Sequence, residues 1–277
     1  MSRRIPTMYQ EFYGLAAQPF SITPDPRYLY LSRRHREAME HMLFGITQRK
    51  GFVQITGEVG AGKSTLCRAL LAQLGEAYAT ALILNPVGSG MQLLRSILLE
   101  LGLSDRGNDR VRLLQRLNEF LLARLATAQD VVLLVDEAQD LSDELLEEVR
   151  LLSNLETDDR KLLQIVLVGQ PELRDRLEHP RMRQLRQRIT VRYHLGPLDR
   201  DEIEAYIRHR LTVAGATGRP TFSAAALRSI QRYSHGVPRL VNAVCDKALL
   251  CGYVEGHDHL GWRQIRRAIR DLEGRDP

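Results

Sequence analysis

Gly57-Glu58-Val59-Gly60-Ala61-Gly62-Lys63-Ser64 decides how the rest of this 277-residue chain is read. The octapeptide fits G-x-x-x-x-G-K-[ST], and it stands where that pattern has a mechanism, after the apolar run 51–56 and at the opening of a helical pattern over 63–74. Glycines let successive backbone N–H groups curl around phosphate oxygens, and the helix start adds positive potential. Lys63 then reaches the outer phosphates and the Ser64 hydroxyl ligates Mg²⁺. ATP with Mg²⁺ is therefore the expected cofactor, contacted by residues 57–64 and by Thr65.

Working outward, Val/Ile/Leu-rich runs at 51–56, 80–85, 131–136, 162–169 and 189–195 alternate with helical patterns. Strands alternating with helices imply a parallel α/β sheet. The runs are apolar throughout, so helices should cover both sheet faces in a three-layer P-loop core. After Gly196-Pro197-Leu198 the strands stop, and 200–214, 223–234, 238–253 and 260–272 read as the helices of a small all-helical lid domain. Ser223 is the expected N-cap of one helix, Gly236-Val237-Pro238 ends that helix and opens the next, and 215–220 is a turn-rich connector. The expected division is an N-terminal segment (1–50) leading into the core, the ATPase core (51–197) and the helical lid (198–277).

Downstream of the loop, Val131-Val132-Leu133-Leu134-Val135 runs into Asp136-Glu137. A buried strand ending in two acids is the arrangement that holds Mg²⁺ beside a phosphate loop. Asp136 is the expected metal carboxylate with Ser64, and Glu137 the general base that polarises the attacking water. On its own such a pair would more often cap the helix that follows. The next strand ends in Gln170, which resembles the polar sensor of AAA+ proteins if that strand lies between those of the two motifs. Leu185-Arg186-Gln187-Arg188-Ile189 is similar to the AAA+ arginine-finger segment, with Arg188 the expected finger and Arg186 the reserve. Such an arginine reaches a neighbouring subunit's γ-phosphate. Gly236-Val237-Pro238-Arg239 resembles the second sensor motif, in which Pro238 and Arg239 meet the nucleotide from the same subunit.

Composition excludes other classes. Hydrophobic residues at 44% and charged ones at 26% describe a globular chain. The apolar stretches fall far short of the roughly twenty residues a membrane span needs, and 1–10 carries two arginines without a following apolar segment, unlike a signal peptide. A cytoplasmic location, peripheral at the inner membrane only through a partner, is the expectation. Cys67, Cys245 and Cys251 show no paired metal or disulfide spacing, which suits reduced structural thiols. Of 39 basic residues only four are lysines. Arginine forks suit phosphates, but most of these read as solvated faces.

Phe12-Tyr13-Gly14-Leu15, Pro19-Phe20, Pro24-Asp25-Pro26, Leu29-Tyr30-Leu31-Ser32, His35, Gly45-Ile46 and Gly57-Glu58-Val59-Gly60 closely resemble the ExeA-type ATPases, the general secretion pathway protein A family. The likeness continues through Val135-Asp136-Glu137-Ala138-Gln139, Gly169-Gln170-Pro171-Glu172-Leu173, Leu185-Arg186-Gln187-Arg188 and Gly236-Val237-Pro238-Arg239. It implies a Mg-dependent ATPase, working as a homo-oligomeric ring of unspecified size, a hexamer among the candidates. It also implies a role with an inner-membrane or periplasm-spanning partner in assembling an envelope machine, such as type II secretion, a type IV or MSHA pilus, or exopolysaccharide export. The longer family form continues into a transmembrane segment and a peptidoglycan-binding region. This chain stops at Pro277, so the shorter MshM-like form is expected and direct peptidoglycan binding is not.

The competing expectation is a DNA-associated regulator of the TnsC or TniB transposition type, which shares this core. Arg33-Arg34-Arg36, the arginines between 181 and 192, and Arg263, Arg266, Arg267 and Arg270 are the groups that would contact DNA phosphates. The last four follow helical spacing around Trp262, Ile265 and Ile269, which equally describes a solvated face over an apolar stripe. A third option is a nucleotide-switched scaffold with slow turnover until a partner completes the site.

Overall fold

The computed structural model describes residues 8–275 apart from 24, 87, 105–108 and 159, so Met1 to Thr7 and Pro24 of the motif above lie outside the described residues. In chain order the elements are α1 (Met8–Tyr13), α2 (Arg33–Thr47), β1 (Phe52–Gly57), α3 (Lys63–Leu74), β2 (Tyr78–Ile83), α4 (Gly90–Glu100) and α5 (Arg110–Ala126). They continue with β3 (Asp130–Val135), α6 (Asp143–Leu152), β4 (Leu163–Gly169), α7 (Pro171–Glu178), α8 (Arg183–Arg188), β5 (Ile189–Leu195) and α9 (Glu202–Val213). The last are β6 (Thr221–Phe222), α10 (Ala224–Ser234), α11 (Pro238–Glu255), β7 (His259–Leu260) and α12 (Trp262–Leu272).

The chain forms two compact units. One holds 35–58 and 66–195, the other the described part of 1–34 together with 59–65 and 196–277.

The first unit is built on a five-stranded sheet in the order β2-β3-β4-β1-β5, every neighbouring pair parallel. β1 and β4 are buried at every residue, and β3 at all but its first. That burial explains why their sequences are apolar without alternation. On one face Phe52, Leu133, Val135, Ile165 and Leu167 join a core with α4, α5, α6, α7 and α8. On the other, α2 lies so close that a Cβ added to Gly45 would come 2.2 Å from Val53 Cγ2 and 3.5 Å from Val191 Cγ2. Helices therefore cover both faces, and the carboxyl ends of β1, β3 and β4 share one edge. Local signals agree with the tertiary structure. Ser89 and Gln92 close a capping box on α4, and the Ser142 hydroxyl accepts the Leu145 N–H at the start of α6. Each such cap stabilises its helix by about 1 kcal/mol.

The second unit is helical except for one parallel pairing of two residues, Thr221 with His259 and Phe222 with Leu260. Sequence periodicity predicts helix from 260. Instead β7 occupies His259–Leu260, where Leu260 is fully buried, and α12 starts at Trp262. Ser223 caps α10 as expected, accepting the Ala226 N–H. α1 packs within this unit: the Tyr13 hydroxyl donates to the carbonyls of Leu249 and His257, and Tyr9 to Asp246. Buried Arg210 donates to the Pro19 and Ser21 carbonyls and lies over the Tyr28 ring. These contacts account for much of the Phe12-Tyr13 and Pro19-Phe20 motif residues. The three cysteines are free and buried, and burial pushes the Cys245 and Cys251 thiols up, away from the reactive thiolate.

Candidate nucleotide site

Of the expected residues, Asp136, Glu137, Gln170 and Arg188 belong to the sheet unit, and Lys63, Ser64, Thr65, Pro238 and Arg239 to the helical unit. In the sheet unit, two amide side chains converge on the Glu137 carboxylate. Oε2 of Glu137 accepts from Gln139 Nε2 at 2.8 Å and from Gln170 Nε2 at 3.3 Å. Gln139 turns its own Oε1 to the Gln170 backbone N–H at 3.0 Å, so one amide ties the turn after β3 to the start of α7. Gly169 makes room for it: a Cβ there would come 3.0 Å from Gln139 Oε1 and 2.9 Å from Leu173 Cδ2. Gln170 stands just after β4, which lies between β3 and β1, the condition under which its amide was expected to serve as a sensor.

Asp136 is 2% exposed and receives the Glu137 N–H on Oδ1 at 3.0 Å, while its own N–H is held by the Ile83 carbonyl. Glu137 adopts φ +52 and ψ +39, left-handed backbone that a non-glycine residue holds only where its surroundings demand it. What demands it here is the 3₁₀ turn Ala138–Asp140, clamped by Arg176, which donates to the carbonyls of Gln139 and Leu141 and to Asp143 Oδ1. Sequence reading assigned no role to Gln139 or Arg176. The signal available was indirect, a glutamine and an arginine flanking motif residues on two separate helices.

Arg188 ends α8 half-buried, and its Nη1 donates to the buried Ser153 hydroxyl at 2.5 Å. Its charge also helps hold the Glu147 and Glu156 carboxyls below their usual range, behind Arg150 for the first and Lys161 for the second.

In the helical unit, residues 59–65 of the glycine loop sit against the start of α11. The Arg239 N–H donates to the Gly60 carbonyl at 3.2 Å, and Pro238 occupies the first helical turn, where its missing N–H is harmless. Lys63 is buried at 5% exposure, and Arg239 points to solvent. Gly236 has φ +82, and a Cβ there would come 2.2 Å from the Leu198 carbonyl oxygen, whose residue is bonded back to Gly236 through its N–H. The Gly236-Val237-Pro238-Arg239 motif is thus a tight turn that presents Arg239 beside the loop.

Gly60 itself has φ +79, and a Cβ would stand 2.4 Å from Arg239 Cβ. Gly60→Ala should weaken ATP binding about tenfold or more through this clash. Gly75→Ala is the control, since Gly75 also has positive φ but its Cβ would meet nothing within 4 Å. Equal ATP affinity in the two variants, measured by equilibrium titration, would show that the Gly60–Arg239 contact is irrelevant to the loop.

Of the other motif residues, Tyr30 meets the Tyr206 ring edge-on and the His209 ring at a tilt in the helical core, and His35 is buried. Arg33 and Arg34 pair with Asp199, Arg267 with Glu255, and Arg266 covers the Trp262 ring, so these arginines are engaged within the chain. Among the described residues, no helix is long and apolar enough to cross a membrane.

A family model described as an AAA domain matches residues 46–177. General secretion pathway protein A of Aeromonas hydrophila is 47% identical over 268 residues, covering 96% of this chain. The chain spans about half of that relative, 49% of its length. Among solved structures, Aeropyrum pernix ORC2 in its ADPNP–ADP complexes superposes with a TM-score of 0.65 at 16% identity, over 92% of this chain and 71% of that one. Drosophila ORC bound to DNA gives 0.70 at 17%, over 99% and 70%, and the Thermotoga maritima RuvB branch-migration motor 0.56 at 16%, over 86% and 69%. At these identities the solved structures attest the fold alone.

Proposed function

Because this chain belongs to the ExeA-type AAA ATPases, we propose that it hydrolyses MgATP in subunits that complete one another's sites, and that the turnover drives assembly of a cell-envelope machine. The observation that carries the hydrolytic part is the Glu137 carboxylate held by two glutamine amides at the strand ends, since a base must be aimed before it can act.

The residues present suit the cofactor. Ser64 and Asp136 are hard oxygen donors of the kind magnesium takes, a half-buried hydroxyl and a buried carboxylate. Bound magnesium would neutralise charge on the β- and γ-phosphates. The N–H groups of 57–62 and of Lys63, Ser64 and Thr65 would line the phosphates, and the Lys63 ammonium would hold the outer ones. Glu137 would take a proton from the attacking water, and Gln170, already bonded to that carboxylate, would hold the water's approach. Pro238 and Arg239 would meet the nucleotide from the same subunit, beside the loop they already touch.

The finger role for Arg188 carries a condition, because in the single chain that guanidinium is bonded to Ser153. Reaching a neighbour's γ-phosphate means leaving this hydroxyl, so an isolated subunit should hydrolyse slowly and assembly should raise the rate. Equal mixtures of Arg188→Ala and Lys63→Ala subunits test this directly. If each site pairs one subunit's loop with its neighbour's arginine, head-to-tail assembly makes about a quarter of the sites complete. Activity returning toward that fraction supports the ring. No activity above the sum of the two separate variants would remove Arg188 as a finger acting between subunits.

The envelope role rests on the secretion-pathway relative and on nothing in the site. Loss of the assembled export channel or pilus on deletion of the gene, restored by wild-type protein and not by Glu137→Gln, is the expected outcome. An intact envelope machine in the deletion strain would count against it.

A further inference from the structure

The face of the sheet that carries Phe52 into the apolar core turns polar further along the same strand. Gln54 and Thr56 follow Phe52 at the two-residue spacing that keeps side chains on one face, and they are only 4% and 2% exposed. Beside them on β5, by register, stand Arg192 opposite Gln54 and His194 opposite Thr56. These four, with Arg174 of α7 and Arg186 of α8, line a cleft of about 160 Å³. Among the described residues the Gln54 side chain makes no hydrogen bond, and its amide opens onto this cleft instead of being sealed from solvent, so its donor and acceptor are available to what the cleft holds.

The rest of the lining is equally suited to an anion. Thr56 Oγ1 lies 3.1 Å from His194 Nδ1. Arg192 donates one N–H to the Arg186 carbonyl at 2.7 Å, and Arg186 one to the Glu178 carbonyl at 3.3 Å, so each guanidinium retains further N–H groups. Glu178 also lines the cleft and Asp175 pairs with Arg174, leaving the three guanidiniums in excess over two carboxylates. The space holds about five water molecules, too little for a nucleotide and enough for one tetrahedral oxyanion.

We propose that this cleft is a second anion site, separate from the glycine loop, which binds a phosphate-sized oxyanion through Gln54, Thr56, Arg186 and Arg192. A bound anion bridges β1, β5 and α8. It therefore ties the helix that ends in Arg188 to the strand that leads into the glycine loop, and phosphate becomes an effector of this domain.

The test is titration with inorganic phosphate at constant ionic strength, followed by calorimetry, on wild type, Lys63→Ala, Arg192→Gln and Gln54→Leu. Saturable binding is expected in wild type and in Lys63→Ala, weakened about tenfold or more in Arg192→Gln and in Gln54→Leu. Arg192 is exposed, so its variant keeps the test valid if Gln54→Leu fails to fold. Glycerol 3-phosphate binding as tightly as phosphate would assign the site to phosphomonoesters, and phosphate binding alone to the free anion. Saturable binding lost in Lys63→Ala and kept in Arg192→Gln would place all phosphate in the glycine loop and overturn the proposal, as would a titration that never saturates.

Discussion

Lys63→Ala is expected to lower ATP affinity by about a hundredfold and to take hydrolysis below detection, with the fold intact. The ammonium is buried at 5% exposure on the first residue of α3, at the end of a loop whose backbone must already bend to positive φ at Gly60 and Gly62. A charge-assisted hydrogen bond to phosphate contributes about 1.5–3 kcal/mol, which is roughly tenfold to a hundredfold in affinity, and two outer phosphates would share this lysine. The folded state loses little, because alanine relieves the desolvation of a buried ammonium along with its contacts. The thermal midpoint should therefore stay within a few degrees of wild type, about what a 1 kcal/mol change moves a domain of this size. Lys50→Ala, removing an exposed lysine over the Phe44 ring, is the matched control and should bind ATP normally. Unchanged ATP affinity in Lys63→Ala would overturn the reading of the whole octapeptide, and with it the assignment of Ser64 and Asp136 to magnesium.

The sheet was legible because burial on both faces leaves a continuous apolar imprint. β5 is read at its observed bounds, and β4 within one residue, since Leu163–Gly169 is apolar but for Gln164, which is buried and accepts the Gly51 N–H. The same reasoning failed where structure depends on distant partners. α1 has six residues, too few to show a helical period, and its place is set by Tyr9 and Tyr13 reaching residues more than 230 positions away. β6 and β7 are two residues each, and their pairing leaves no alternation to read.

The site divides along the same line. Lys63, Ser64, Asp136 and Glu137 stand in contiguous motifs whose chemistry dictates residue type and spacing, so they can be proposed from the sequence alone. Gln139 and Arg176 could not be. Their roles come from one amide spanning two elements and one guanidinium closing on two carbonyls, arrangements that no spacing within a single helix encodes. Gln54 is the intermediate case. A glutamine inside Phe52-Val53-Gln54-Ile55 breaks an apolar strand, which marks the position without saying what it meets.

Glu137→Gln should bind ATP within a few-fold of wild type yet turn over about a hundredfold to ten-thousandfold more slowly, the range general-base catalysis spans. The substitution is nearly isosteric, and its backbone must keep φ +52, which glutamine holds no less readily than glutamate. Its carbonyl oxygen can still accept from Gln139, at present 2.8 Å away, so the turn clamped by Arg176 should persist. What disappears is the negative charge that, on the proposed role, would accept the water's proton. A purely structural glutamate would predict the opposite, near-normal turnover in the glutamine variant and failure in Gln139→Ala, which breaks the brace without touching the carboxylate. Single-turnover kinetics separate the two, since loss of the base slows the chemical step and leaves nucleotide trapped, whereas loss of the brace raises the nucleotide dissociation constant as well. If trapped nucleotide also enlarges the particle seen by light scattering, the arginine supplied by a neighbour and the base in its own subunit act on one intermediate. Turnover unchanged in Glu137→Gln would move the base elsewhere, and the two amides on that carboxylate would then be holding a turn and nothing more.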